Sequence, residues 1–100
     1  MSIQWYDKEG NPIEDLSLVE SKLCDYKYKV VAQTTLPDGK WVSTVWLGLD
    51  HTFSGEGPPL IFETMVFPSK GDFSETYCER YSTLEEARAG HERIVAESFN

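Results

Sequence analysis

Between Trp41 and Ser69 the chain carries no lysine or arginine, and within that stretch lie two apolar runs of strand length. The first, Trp41-Val42-Ser43-Thr44-Val45-Trp46-Leu47-Gly48-Leu49, ends at Asp50-His51. The second, Leu60-Ile61-Phe62-Glu63-Thr64-Met65-Val66-Phe67, begins after Gly57-Pro58-Pro59. Aromatic and β-branched side chains fit a pleated, half-buried surface. Both faces of the first run carry bulky apolar groups, as expected of a central strand covered by helices on one side and partly shielded on the other. Gly48 amid such bulk predicts a bulge or a close backbone approach.

The flanking segments fix the class. Leu36-Pro37-Asp38-Gly39-Lys40 is a turn signal, because Pro presets φ and Gly tolerates a positive one. Tyr26–Leu36 and Trp41–Leu49 therefore read as an antiparallel hairpin. In this reading Lys27 and Lys29 share one strand face. Phe73–Tyr81 reads as a weaker, edge-like fourth strand. Ile3–Tyr6 is a short strand followed by a turn cluster, leading to a helix on which Leu16, Val19 and Leu23 share one face. Asp15 is placed to cap that helix. At the other end, Ser82-Thr83-Leu84-Glu85 reads as a capping box with Ser82 as the cap. Leu84, Ala87, His91, Ile94 and Val95 form the apolar stripe of the helix it starts. The expectation is one α+β domain over residues 1–100: a small antiparallel sheet of three to four strands with two helices packed on one face.

Charge and cysteine content narrow the function classes. Seventeen acidic against nine basic residues give a formal charge of −8. Nucleic-acid binding needs clustered Lys and Arg, which are absent here. A mimic of nucleic acid is disfavoured too, since Arg80, Arg88 and Arg93 interrupt the seven acids of Asp72–Glu97. No apolar run approaches the roughly 20 residues of a membrane span. Met1-Ser2-Ile3-Gln4 lacks the charged start and apolar stretch of a secretory leader. Cys24 and Cys78 stand alone, outside any CxxC spacing, which fits two thiols in a reducing cytoplasm; a Cys24–Cys78 disulfide is the alternative.

Few residues offer chemistry. The two histidines are His51, beside Asp50 at a strand end, and His91, on the apolar stripe next to Gly90. Turn capping by Asp50 and core packing by His91 are the plain readings. Glu63 interrupts an apolar strand and needs a partner, with Arg80, Lys29 and His91 as candidates. The sharper alternative joins Asp50, His51, Glu63 and His91 in a metal site for a small metal-dependent enzyme, without the support of an HxxxH or CxxC motif. No nucleophile, phosphate-binding or cofactor motif accompanies them, so no cofactor is expected.

Aromatic residues point to binding instead. Trp5, Tyr6, Trp41, Trp46, Phe53 and Tyr77 exceed what one small core readily hides. Trp and Tyr are enriched at binding hot spots. A homodimer or a partner protein would cover them. The expected binding set is Trp41, Trp46, Asp50, His51 and Phe53.

Asp25-Tyr26-Lys27 with Val31-Ala32-Gln33-Thr34, the Trp41–His51 run, Pro58–Phe67, Glu79-Arg80-Tyr81-Ser82-Thr83 and Ala89-Gly90-His91 carry a family likeness. Over roughly residues 5–95 the chain resembles small uncharacterised proteins of tailed bacteriophages and prophages. The resemblance implies a phage-encoded product acting in the bacterial cytoplasm. It transfers no catalytic residue. Together with the acidic charge and the surplus aromatics, it leads to the expectation of a non-enzymatic accessory protein that binds a host, defence or phage protein.

Overall fold

A computed structural model describes residues 4–50, 57–72, 74 and 76–98. In chain order these form β1 (Trp5–Tyr6), β2 (Pro12–Ile13), α1 (Leu16–Cys24), α2 (Tyr26–Lys29), β3 (Val30–Thr35), β4 (Trp41–Trp46), β5 (Phe62–Phe67), β6 (Tyr77–Tyr81) and α3 (Leu84–Ser98). Strands β3-β4-β5-β6 make one antiparallel sheet in sequence order, and β1-β2 make a separate hairpin. This is an α+β fold, with the helices packed against the sheet. No helix among the described residues is long and apolar enough to cross a membrane.

The register sorts every strand residue to a face. Thr34, Val42 and Val66 fall in one row, Ala32, Thr44, Thr64 and Glu79 in the next, and Trp46, Phe62 and Tyr81 in a third. All three rows face the helices. Trp46, Ile61, Phe62 and Tyr81 pack with Ala87 of α3, and Tyr6, Leu23, Tyr28 and Val31 close around them. Leu36, Val42 and Val66 pack with Ile94 further along the same helix. Thus α3, the α1-α2 corner and the β1-β2 hairpin all cover one side of the sheet.

Three local features depart from the sequence reading. Tyr26–Lys29 is a helical turn rather than strand, because the Asp25 side chain accepts from the Tyr28 amide at 3.2 Å and nucleates it. Lys27 and Lys29 therefore do not share a strand face. Second, Val30 pairs with Val45 but Ala32 with Thr44, so Val31 is the extra residue of a bulge that turns its side chain into the core. Third, the α3 cap is Thr83, not Ser82. The Thr83 hydroxyl accepts from the Glu86 amide at 3.0 Å and donates to the Glu86 carboxylate at 3.1 Å, shifting the box by one residue. Asp15 caps α1 as expected, accepting from the Ser17 amide at 2.9 Å.

Trp46 is the largest fully buried side chain. Its indole N–H donates to the Tyr6 carbonyl at 2.9 Å, and Tyr28 meets its ring edge-on at 5.0 Å. Burying an indole removes roughly 150–250 Å² from water, on the order of 4–6 kcal/mol at about 25 cal/mol per Å². Gly48 lies just past the strand with φ +80, and a Cβ there would stand 2.6 Å from the indole. The close approach expected at Gly48 is the chain folding back over Trp46. The Gly48 carbonyl then accepts from the Tyr6 amide at 2.8 Å, which ties the hairpin to the sheet.

Candidate functional site

The sheet places the candidate residues on two separate faces. His91 projects from α3 onto the covered face, between the hydroxyls of Thr34 on β3 and Thr44 on β4, at 2.8 Å from Nε2 and 2.7 Å from Nδ1. Thr44 is 2.5 Å from the hydroxyl of Thr64 on β5, which in turn accepts from Tyr81 on β6 at 3.0 Å. One hydroxyl from each strand and one imidazole thus make a continuous buried chain across the sheet. No buried side-chain polar atom among the described residues lacks a partner.

Each hydroxyl can donate or accept, so the chain can be completed with either tautomer of the imidazole. Burial disfavours the charged ring and lowers the His91 pKa, against the weaker pull of Glu92. Burial likewise pushes the Tyr81 phenol up to about 12. Both groups are neutral near pH 7.

Glu63 stands on the opposite face. Its register neighbours are Val45 on β4 and Arg80 on β6, and Arg80 Nε donates to its carboxylate at 2.9 Å. The Cys78 thiol is 3.4 Å from the same oxygen. Of the three partners the sequence offered, Arg80 is the one engaged. A strand separates Glu63 from His91, so these two residues do not converge. Asp50 is elsewhere again: its carboxylate accepts from the Leu60 amide at 2.8 Å, which is the turn-capping role. His51 and Phe53 lie outside the described residues. Among the described residues no group of three His, Cys, Asp or Glu side chains could hold a metal ion. Two surface clefts of about 280 and 380 Å³ are lined by neither histidine nor cysteine.

The expected binding set is also redistributed. Trp46 is a core residue with no accessible surface, so it cannot contact a partner. Trp41 belongs to the Glu63 face, half-buried, its ring centroid 5.4 Å from that of Phe67. Val45, Met65 and Cys78 share that face and are partly exposed. Tyr26, which strand periodicity had assigned to β3, is 66 % exposed and donates to Gln33 at 2.9 Å. It extends the same face at its β3 edge. Among the described residues, no helix or hairpin packs over this side.

Cys24 and Cys78 are both free thiols, Cys24 exposed on α1 and Cys78 partly exposed on β6.

No family model, characterised protein or solved structure matches this chain.

Proposed function

We propose that this chain is a binding protein, and that its contact surface is the sheet face turned away from the helices. One observation supports the reading above others: this face offers partly exposed Trp41, Val45 and Met65, with Tyr26 at its edge, in a chain of net charge −8. Its described strand positions carry one acid and one base, Glu63 and Arg80, paired with each other. A surface that concentrates aromatic and apolar groups and neutralises its own charge has the make-up of an interface centre. The likeness to phage proteins supplies the setting: a phage-encoded accessory protein acting in the bacterial cytoplasm on a host, defence or phage protein.

The test is partner recovery from infected-cell lysate by the wild-type chain and by surface variants. Trp41→Ala and Met65→Glu should abolish recovery of a specific partner. Leu18→Ser, on the exposed side of α1 and away from the sheet face, should leave it intact. Equal recovery by all four proteins overturns the assignment of this face.

A further inference from the structure

Strand β3 is one edge of the main sheet, and its outer side lacks the usual protection of an edge. The Leu36 amide donates to the Lys40 carbonyl at 2.7 Å across the turn, which sets the alternation of the hairpin. Thr34 and Ala32 therefore turn their N–H and C=O groups towards Val42 and Thr44 of β4, while those of Gln33 and Thr35 point outward. Both outward residues are exposed, and among the described residues no backbone group bonds to them from that side. Edges are commonly guarded by Lys, Pro, a bulge or a covering element. Val30–Thr35 holds neither charge nor proline, and its bulge at Val31 guards only the start.

We propose that this edge pairs antiparallel with the β3 edge of a second copy of the chain, joining two four-stranded sheets across a two-fold axis. The residues select the register. An axis at Gln33 sets Thr35 against Val31, the bulged position. An axis at Thr35 sets Gln33 against Pro37, which has no N–H. An axis at Thr34 meets neither obstacle. Gln33 of each copy then faces Thr35 of the other in a hydrogen-bonded pair. The axis is normal to the sheet, so both helix layers stay on one side and both open faces on the other. The pairing uses only the strand edge and does not depend on the binding role proposed for the open face.

Charge favours a second copy over an unrelated strand. Lys27 and Lys29 come just before β3, and Asp38 lies in the turn just after it. Pairing about Thr34 sets Asp38 of each copy opposite Val30 of the other, next to Lys29. Acid thus meets base at both ends of the junction. Neither lysine has an ion-pair partner among the described residues, and Asp38 has an exposed one, Lys40 at 3.6 Å. The paired strands add no repulsion of their own, although each chain carries −8. The exposed Tyr26, bonded to Gln33, stands beside the same junction.

The experiment is sedimentation equilibrium of the full chain from about 10 μM to about 1 mM, with amide hydrogen exchange read by NMR at both ends of that range. The average mass should rise towards that of two chains, and the Gln33 and Thr35 amides should exchange more slowly at the high end. Thr35→Pro removes one outward N–H where an edge strand tolerates proline, so it should keep a native amide spectrum and stay monomeric. Lys29→Glu and Asp38→Lys should each weaken association by roughly three- to tenfold. Together they should restore it, because each swapped acid then faces a swapped base. If Thr35→Pro loses its native spectrum, these two charge variants, both outside the sheet, decide. A single-chain mass throughout the range overturns the proposal. So does association without added protection at Gln33 and Thr35, which puts the contact elsewhere, undiminished association of a folded Thr35→Pro, or a double charge variant no better than the singles.

Discussion

Gly90 lies against the Tyr81 ring so closely that a Cβ at Gly90 would stand 2.3 Å from the phenol oxygen and 2.4 Å from two ring carbons. The missing side chain is what lets α3 approach the sheet near enough for His91, one residue on, to reach Thr34 and Thr44. Tyr81 cannot easily yield, being buried and hydrogen-bonded to Thr64. Gly90→Ala should therefore destabilise the protein by about 1–3 kcal/mol through overpacking, even though Ala is the better helix former by about 1 kcal/mol. Thermal denaturation reads this as a drop of roughly 4–8 °C per kcal/mol for a domain of this size. An unchanged or higher midpoint would show that α3 does not depend on that approach.

The start of α3 distinguishes two adjacent hydroxyls. Thr83 makes the reciprocal bonds with Glu86, whereas the Ser82 hydroxyl is 3.5 Å from the Pro58 carbonyl. Thr83→Ala should cost about 1 kcal/mol, and Ser82→Ala only a few tenths. Urea midpoints measured at constant m-value separate the two, and a larger loss for Ser82→Ala would contradict the Thr83 cap.

What the sequence made legible follows from the range of each signal. The β3-β4 hairpin, the central place of β4 and the α3 stripe rest on periodicity and turn chemistry over many residues, and these are local. The Thr83 box was misplaced by one position because Ser82 and Thr83 both have an acid three residues on, Glu85 and Glu86. Tyr26–Lys29 alternates like a strand, but one Asp25 cap decided the first turn. Trp46 read as surplus aromatic surface because its burial depends on Tyr6, Tyr28 and Leu23, contributed by elements distant in the chain. The same holds for the hydroxyl chain. Thr34, Thr44 and Thr64 are ordinary strand residues until α3 lowers an imidazole between them. The one sequence signal was their position at the same face parity, with His91 on an apolar stripe.

Glu63 and Arg80 form a directional pair on the proposed contact face, the acid nearly buried and the base partly exposed. Removing the base alone leaves a carboxylate in a poorly solvated place. Arg80→Met should destabilise by about 1–3 kcal/mol, below the full cost of breaking a wholly buried pair because water reaches Arg80. Adding Glu63→Gln should restore much of the loss, since no uncompensated charge remains. A double variant less stable than Arg80→Met would show that Glu63 is held mainly by the Cys78 thiol and its other neighbours rather than by the charge pair.

His91 also makes a prediction about stability against pH, and its sign follows from burial. The folded ring binds a proton less readily than the unfolded one, so the unfolded state carries more protons as pH falls below the ordinary histidine range. Its contribution is fully present above about pH 6.5. It declines as pH drops towards the lowered folded value, and levels off once the ring is charged in both states. In the window from about pH 6.5 down to about pH 5.5, most carboxylates stay ionised and the imidazole dominates the slope. Unfolding free energies in that window should fall for the wild type and flatten for His91→Gln, which retains hydrogen-bonding capacity without the titration. His51→Gln serves as the comparison for the other imidazole. If the slope survives in His91→Gln, the acid sensitivity of this fold originates elsewhere.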